Sequence, residues 1–306
     1  MNEQINRWVG DPGWHGLIIW YFFLGGIAAG AYVMAALADL FGDEDDRPGV
    51  RVAYYIAFPL VSVCGLLLTI DLGRPERFWH MLIQSQMYRP MLKWWSPMSA
   101  GSWGLSAFGA FSFASFVGVL AEDRWFGLGR WSPLARRLRC SPVGRVFELG
   151  GTLSAFFLGA YTGTLLSATN QPVWSDSTWL SALFLASSAS TGVAAMLLLV
   201  RWRLRETSPE IIDRLEWVDA WAMILELAVL AAFAVSLGEL ARPALLHWPG
   251  VLIPAFVVPA GIVLPLIVRS LPGPRWGIMS VISILIAGLV LRNAIVGMAE
   301  PLLDGS

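Results

Sequence analysis

Residues 14–40 read WHGLIIWYFFLGGIAAGAYVMAALADL, an apolar stretch whose only histidine and only charged residue are His15 and Asp39. A membrane-spanning helix needs about 20 consecutive, mostly apolar residues, and this stretch is longer than that. Because it is continuous and does not alternate between polar and apolar positions, it favours a helix over a strand of a membrane β-barrel. The stretch therefore predicts a transmembrane helix.

The remainder of the protein contains further apolar stretches of similar length. Together with the first, we identify eight apolar stretches, at residues 14–40, 52–70, 97–121, 146–169, 178–200, 218–240, 251–268 and 276–298. We therefore predict an all-α integral membrane protein with eight transmembrane helices, in which residues 1–306 form a single transmembrane domain. The seventh stretch contains Pro254, Pro259 and Pro265, which predicts a kinked helix.

The composition excludes several other classes of protein. Of the 306 residues, 56% are apolar and only 14% are charged, and the mean hydropathy is +0.62. Soluble domains have roughly a quarter of their residues charged, so this protein has too little polar surface for a water-soluble enzyme. A net charge of -1 gives no reason to expect nucleic-acid binding.

Lysine and arginine are unequally distributed between the two sets of loops. The loops after the first, third, fifth and seventh stretches carry 14 of them, whereas the opposite side carries 6. Because basic residues are retained on the cytoplasmic side, this bias predicts that the N terminus and the C terminus both lie outside.

Histidine and cysteine are too scarce for most bound redox groups. The three histidines, His15, His80 and His247, are fewer than the four axial ligands of a two-haem cytochrome b core. The two cysteines, Cys64 and Cys140, are fewer than the four thiolates that normally hold an iron–sulfur cluster. We therefore expect no haem and no iron–sulfur cluster in this chain.

Two tyrosines lie at similar depth below the predicted outer face. Tyr21 is roughly 10 Å and Tyr161 roughly 12 Å inside their stretches, at 1.5 Å per helical residue. His15 lies above Tyr21, and Asp71, Arg74 and Arg77 close the outer end of the second stretch.

These six residues suit the head group of a quinone, because its two oxygens need hydrogen-bond donors and its redox chemistry needs proton exchange. The alternative is that the tyrosines anchor the helices at the membrane interface. In that case Asp71 and Arg74 form a salt bridge at a helix end.

Ionisable groups also lie deep in the sixth and eighth stretches. Asp219 and Glu226 are seven residues apart on one helix face, Glu239 follows near the outer end, and Arg292 lies at a depth between Glu226 and Glu239. Such groups predict a proton path, or else a charge-compensated structural pair. A transporter of ions or small solutes that uses these carboxylates is the alternative function.

Small residues and one amphipathic segment complete the pattern. Gly26 and Gly30 in the first stretch, and Gly159 and Gly163 in the fourth, have the GxxxG spacing that predicts close helix packing. Residues 75–84, PERFWHMLIQ, predict a short amphipathic helix in the outer interface, which could anchor the protein or dock a peripheral partner.

Four segments resemble the NrfD / polysulfide reductase membrane-subunit family (PsrC-like). They are YFFLGGIAAG at 21–30, DLGRPERFW at 71–79, YTGTLLSAT at 161–169 followed by Pro172 and Trp174, and STG at 190–192. The DLGRPxRFW segment is the most specific of them. The matches cover the first five stretches, and the count of eight helices extends the resemblance to the whole chain.

The resemblance implies a membrane subunit without haem that binds menaquinone or ubiquinone near the outer face. It also implies an iron–sulfur partner subunit, a molybdopterin catalytic subunit, and a multi-pass location in a bacterial or archaeal cytoplasmic membrane with the partner docked outside. Tyr161 matches the tyrosine of the family's quinone site. A purely structural anchor without quinone chemistry is a third hypothesis.

Overall fold

The computed structural model describes residues 16–41, 47–84, 88–203, 209–269 and 274–298. In sequence order the elements are α1 (Gly16–Phe41), α2 (Arg47–Asp71), a 3₁₀ helix (Pro75–Met81), β1 (Ile83–Gln84), β2 (Arg89–Pro90), α3 (Pro97–Glu122), a 3₁₀ helix (Trp125–Trp131), α4 (Ser132–Arg139), α5 (Pro142–Ser167), α6 (Leu180–Arg203), α7 (Pro209–Ser236), a 3₁₀ helix (Gly238–Leu240), α8 (Ala241–Leu246), two π-helical segments (Ile253–Val257 and Pro259–Val263), α9 (Leu264–Val268) and α10 (Pro274–Gly297). The two short strands pair antiparallel. The predicted all-α class is confirmed for the residues that the structure describes.

Seven of the helices in the described ranges are long and apolar enough to cross a membrane. They are α1, α2, α3, α5, α6, α7 and α10, and they correspond to seven of the eight predicted stretches. The remaining one, the seventh stretch, forms a shorter apolar helix at Ile253–Val268.

Proline explains the irregular winding of that shorter helix. Pro254, Pro259 and Pro265 have no amide hydrogen to donate to the preceding turn. The helix widens around the first two, and the Val258 N–H bonds to the Ile253 carbonyl, five residues back. The prolines predicted a kink, and the structure describes the irregularity as π-helical winding.

Several helices extend beyond the apolar stretches that predicted them. α2 begins at Arg47, five residues before Val52, and α7 begins at Pro209, nine residues before Val218. The added turns carry charged residues, so they are helical without being apolar. Hydropathy therefore predicted where the helices lie but underestimated their lengths.

The bundle has two ends, which are named here by the predicted orientation. The outer end, which the charge bias predicts to face outside, is where α1 begins and α2 ends, at Gly16 and Asp71. The inner end is where α1 ends and α2 begins, at Phe41 and Arg47.

α1 is a central helix, and glycines let its neighbours approach. A Cβ atom on Gly30 would overlap the backbone carbonyl of Ser188 in α6, and one on Gly192 would overlap the backbone of Gly30 and Ala31. On α5, a Cβ on Gly163 would overlap the backbone at Ser181. The close packing predicted from Gly26, Gly30, Gly159 and Gly163 is therefore present.

The predicted amphipathic helix at 75–84 is shorter than expected. A 3₁₀ helix covers Pro75–Met81, and residues 83–84 form β1 instead. The 3₁₀ helix ends where the Leu82 N–H bonds to the Trp79 carbonyl. Because 3₁₀ hydrogen bonds are poorer than α-helical ones, such helices stay short.

Candidate functional site

The structure brings the two predicted tyrosines together at the outer end. Tyr21 of α1 and Tyr161 of α5 are 2% and 7% exposed, and their side chains lie within electrostatic interaction range. The Tyr161 hydroxyl donates a 2.8 Å hydrogen bond to the Pro97 carbonyl at the start of α3. These contacts join α1, α3 and α5 around two phenol groups.

Aromatic and small residues fix the position of Tyr161. Its ring stacks on Phe157, with centroids 5.4 Å apart and an interplanar angle of 22°. A Cβ atom on Gly101 would overlap the Tyr161 ring, so only glycine fits there. The sequence did not indicate Gly101 as part of the site, because a single glycine in an apolar helix carries no spacing signal.

The Tyr21 side of this site also contains a thiol. The Cys64 Sγ lies 3.7 Å from the Tyr21 carbonyl, in hydrogen-bonding geometry, and the residue is fully buried in α2. Cys64 and Cys140 are both free. Neither thiol therefore contributes to a disulfide.

The charged rim predicted above the tyrosines lies on the surface. Asp71 ends α2, and the side chains of Asp71, Arg74 and Arg77 are all exposed. Within the described ranges these three side chains form no ion pair, so the alternative of an Asp71–Arg74 salt bridge is not seen. His15 lies outside the described residues.

Arg292 occupies the polar centre next to the tyrosines. It is 1% exposed, and its Nε donates to the Phe22 carbonyl at 3.1 Å. Its Nη1 donates to the Ser187 hydroxyl at 3.1 Å and to the Gly288 carbonyl at 2.8 Å. Since Phe22 follows Tyr21 in α1, the guanidinium lies directly behind the tyrosine site.

Glu226 of α7 faces this guanidinium. It is 6% exposed, and the positive charge of Arg292 acts on it. The structure thus joins Glu226 and Arg292, which the sequence placed at neighbouring depths. A Cβ atom on Gly26 would lie 2.8 Å from the Ser188 hydroxyl and would overlap the Arg292 guanidinium, so this glycine makes room for the charge.

Asp219 lies two turns closer to the inner end and has a different partner. It is 1% exposed, and its Oδ2 accepts a 2.5 Å hydrogen bond from Arg269. Its Oδ1 is buried without a hydrogen-bond partner among the described residues. Seven residues of α-helix separate Asp219 from Glu226 by roughly 10 Å along the axis.

Glu239 is not brought to the other members of the predicted proton path. α7 ends at Ser236, and Glu239 lies in the following 3₁₀ helix, Gly238–Leu240, with an exposed side chain. Gly238 has a positive φ of 55°, which turns the backbone away from the helix axis. The sixth apolar stretch is therefore continuous in sequence, but the α-helix ends before the stretch does.

The sequence did not predict a network of ion pairs at the inner end. Arg47 at the start of α2 bonds to Asp39 at 2.7 Å and to Glu122 at 2.9 Å. Arg139 of α4 lies 3.3 Å from Glu122, and Arg51 bonds to Asp123 at 2.8 Å. The four-residue spacing of Arg47 and Arg51 is a signal for it, because that spacing puts both cations on one face of a helix.

Comparison with known proteins establishes the family of this protein. The family model described as "Polysulphide reductase, NrfD" matches residues 6–299. This chain belongs to the NrfD family. It is 31% identical to the polysulfide reductase C chain of Wolinella succinogenes over 271 residues, which cover 81% of each protein.

Two further relatives are similar to this NrfD-family protein over smaller shares of its length. The protein NrfD of Escherichia coli is 28% identical over 236 residues, covering 73% of this chain and 71% of that protein. The selenate reductase C subunit of Mesobacillus selenatarsenatis is 32% identical over 73 residues, covering 24% of this chain and 17% of that protein. Family membership and seven apolar helices of membrane length identify a multi-pass membrane protein.

The NrfD-family protein has no metal-binding constellation in the part that the structure describes. There, no group of three or more His, Cys, Asp or Glu side chains is placed to hold a metal ion. The groups available for chemistry in the described site are hydroxyls, carboxylates, a thiol and a guanidinium.

Proposed function

We propose that this chain is the quinone- or quinol-binding membrane anchor of a respiratory oxidoreductase complex. It would exchange electrons with an iron–sulfur partner subunit, which in turn serves a molybdopterin catalytic subunit. Family membership supports the anchor role, and two relatives are named as the C chain or the C subunit of a reductase. The main support for the quinone assignment is the pair of buried tyrosines, Tyr21 and Tyr161, with Arg292 bound to the backbone next to Tyr21.

The residues of this site fit a quinone head group. Tyr21 and Tyr161 supply two hydroxyls on different helices, which matches the two oxygens of a quinone. The Tyr161 hydroxyl donates its proton to the Pro97 carbonyl, and its oxygen keeps its lone pairs to accept from a quinol hydroxyl. Donation to a quinone carbonyl requires that the Tyr161 proton turn away from Pro97.

A bound quinone would supply two-electron chemistry, in which reduction to the quinol takes up two electrons and two protons. The electrons would come from, or go to, the partner's nearest cluster. The protons would pass through groups near the tyrosines, and Glu226 is the buried carboxylate adjacent to this region. Arg292 would hold that carboxylate in place, and Asp219 would extend the path toward the inner end.

The charged rim fits partner docking better than contact with the quinone. Asp71, Arg74 and Arg77 are exposed at the outer end, and the aromatic side chains of Trp94 and Trp95, in the segment that leads into α3, are exposed as well. We propose that this surface receives the iron–sulfur subunit on the outer face of a bacterial or archaeal cytoplasmic membrane. His15, which lies outside the described residues, remains a proposed neighbour of the quinone.

The full topology completes the proposal. We propose that Ile253–Val268, shortened by its prolines, also crosses the membrane and brings the number of spans to eight, and that both termini lie outside. The proposed proton path uses Asp219, Glu226 and Arg292 and omits Glu239, which is exposed.

The alternative, a transporter that uses the carboxylates of α7, receives less support. Asp219 forms an ion pair with Arg269, and the positive charge of Arg292 acts on Glu226, so each carboxylate already has a cation in its surroundings. A protein that carries cations needs a carboxylate that can exchange its resident counter-charge for the transported cation. Ion flux through the isolated protein in liposomes, without an iron–sulfur partner, would favour the transporter.

The test replaces Tyr161 with phenylalanine in the assembled complex. Loss of one hydrogen-bonding hydroxyl at the reacting oxygen is expected to lower quinol-linked turnover about tenfold, since a bond of about 1.4 kcal/mol corresponds to that factor. The control is Tyr88→Phe, because Tyr88 is 78% exposed at the same end. Stopped-flow oxidation of a quinol analogue measures both.

Unchanged turnover in Tyr161→Phe, with normal assembly, would remove Tyr161 from the site. Extraction of the purified complex gives an independent measurement, because a quinone-binding subunit should retain quinone in proportion to the protein. Absence of quinone, together with insensitivity to quinone-site inhibitors, would support the purely structural anchor.

A further inference from the structure

An open space lies at the inner end, away from Tyr161. It is a cavity of about 610 Å³, and its apolar walls come from α3, α4 and α5. Phe113 and Val117 line it from α3, Leu134 and Leu138 from α4, and Phe147 from α5. Sites for small molecules have volumes of about 300–1,000 Å³, so this space is large enough for part of a lipid.

One wall of the cavity is charged. It is formed by Asp39, Arg47, Glu122, Arg139 and Glu148, that is, three carboxylates and two guanidinium groups. Both guanidinium groups are already engaged, because Arg47 pairs with Asp39 and Glu122, and Arg139 lies 3.3 Å from Glu122. The wall therefore has one carboxylate more than it has cations.

Glu148 is the remaining carboxylate of this wall, and Arg47 and Arg139 act on it only at longer range. It forms no ion pair with any residue that the structure describes, and its Oε1 accepts a hydrogen bond of 3.4 Å from the Tyr54 hydroxyl. That distance is beyond the usual range for O–H···O bonds of about 2.5–3.0 Å, so the interaction is weak. A carboxylate on an apolar cavity wall is stabilised by a cation.

The same wall also has unused hydrogen-bond donors. The Nε atoms of Arg47 and Arg139 are buried and lack a hydrogen-bond partner among the described residues. The Arg139 Nε lies near the Glu122 carboxylate as an ion pair, but its N–H is not directed at it. Buried donors of this kind normally bond to an acceptor. A ligand that fits this wall therefore has a cationic donor for the Glu148 carboxylate and an acceptor for the Nε–H groups of Arg47 and Arg139.

The cavity is open toward the side of the bundle. Phe113, Leu138 and Val143 line it and are 51%, 51% and 68% exposed. Phe113 and Val143 belong to membrane-length helices, and Leu138 belongs to α4 at the inner end. The opening therefore lies where an acyl group can enter from the bilayer. An occupant with a charged head and an apolar tail satisfies both parts of the cavity.

We propose that this cavity binds one phospholipid with a primary ammonium head group, namely phosphatidylethanolamine. The ammonium donates to Glu148, a phosphate oxygen accepts from Arg47 and Arg139, and an acyl tail lies along Phe113 and Phe147. An anionic lipid without an ammonium group leaves Glu148 unpaired and adds negative charge beside it. A choline head group has no N–H to donate.

The first test measures which lipid stays with the protein. The full-length protein is incorporated into nanodiscs of equal parts phosphatidylethanolamine, phosphatidylcholine and phosphatidylglycerol, re-extracted in detergent, and analysed by native mass spectrometry. We expect about tenfold enrichment of phosphatidylethanolamine over either other lipid, and loss of this preference in Glu148→Gln. The matched control is Glu210→Gln, because Glu210 is an exposed carboxylate outside the cavity.

The second test fills the cavity without changing charge. Gly118 lines the cavity, and a Cβ atom there meets nothing within 4 Å, so Gly118→Leu should fold and displace the lipid. Gly109 of the same helix is equally open but is not part of the cavity lining, so Gly109→Leu is the control. Equal retention of phosphatidylethanolamine in Gly118→Leu and Gly109→Leu, or preferential retention of phosphatidylglycerol, would overturn the proposal.

Discussion

Arg292 connects two polar regions of the membrane interior, the tyrosine site and the region around Glu226. Its guanidinium bonds to the backbone of α1 at Phe22, to Ser187 of α6 and to the backbone of its own helix, and it faces Glu226 of α7. A charged side chain within a membrane helix costs about 2.5–3.5 kcal/mol on insertion scales, so it requires such compensation. Four helices therefore depend on one side chain for their relative positions.

Replacement of Glu226 should separate a proton role from a structural one. Glu226→Gln keeps the size and most hydrogen bonds of the side chain but cannot release a proton at ordinary pH. If Glu226 relays protons, turnover with a quinol analogue should fall roughly tenfold, since general acid–base groups contribute at least a factor of that order. Glu239→Gln is the matched control, because Glu239 is exposed.

The readout that distinguishes the two roles is proton release measured alongside electron transfer. Wild-type turnover and wild-type proton release in Glu226→Gln would make Glu226 a structural partner of Arg292. Equal losses in the Glu226 and Glu239 variants would contradict the omission of Glu239 from the path.

At the scale of the elements, contact between α1 and α6 depends on glycine. Gly30 of α1 lies against the Ser188 carbonyl of α6, and Gly192 of α6 lies against the backbone of α1. Association of helices in a membrane depends on such close packing, because lipid tails are as apolar as the side chains. The same contact positions Ser187 and Ser188 beside Arg292.

Gly30→Ala should therefore destabilise the bundle. The added Cβ atom would meet the Ser188 backbone, which cannot move as a side chain can, and overpacking of this kind costs about 1–3 kcal/mol. Unfolding in a denaturing detergent, followed by circular dichroism, measures the change.

The matched control for that change is Gly65→Ala in α2, because a Cβ atom there meets nothing within 4 Å. We expect the control to be neutral or slightly stabilising, since alanine favours helix more than glycine. A Gly30→Ala variant as stable as Gly65→Ala would show that α1 and α6 tolerate a wider separation.

The sequence predicted positions along the helices better than rotations about them. Helical rise alone placed Tyr21 and Tyr161 at one level, and the structure brings them together. It could not show that Arg292 faces Glu226, because that depends on how α7 and α10 are rotated. Nor could it show that Arg74 points to solvent, where Gly73, with a φ of 63°, turns the backbone out of α2.

At the scale of the whole molecule, ion pairs join four helices at the inner end. Asp39 of α1, Arg47 of α2, Glu122 of α3 and Arg139 of α4 form one network of ion pairs. These partners could not be assigned from the sequence, because each lies next to a loop, where charges are usually solvated. Their burial shows that α4 packs down onto the bundle.

Arg47→Leu should destabilise the whole molecule through this network. Removal of the central cation leaves Asp39 and Glu122 with only Arg139 and Arg51 as longer-range partners, at 3.3–3.7 Å, among the described residues. Loss of one partner from a buried pair costs about 3–5 kcal/mol. The thermal midpoint of the purified protein in detergent should fall by several degrees.

Arg136→Leu is the control for that measurement, since Arg136 lies on the exposed side of α4. A thermal midpoint that falls equally in both variants would indicate that general surface charge, and not the network, stabilises the inner end.

The contacts of Arg292 also have a consequence for the order of synthesis. The ribosome makes α1 before α10, yet the Phe22 carbonyl and the Ser187 hydroxyl both accept hydrogen bonds from Arg292 of α10. Until then, α1 and α6 enclose polar groups without their cation, and α10 must bring a buried arginine into the membrane. α10 therefore closes the polar interior, so a nascent polypeptide that stops before Arg292 should remain a substrate for membrane quality control.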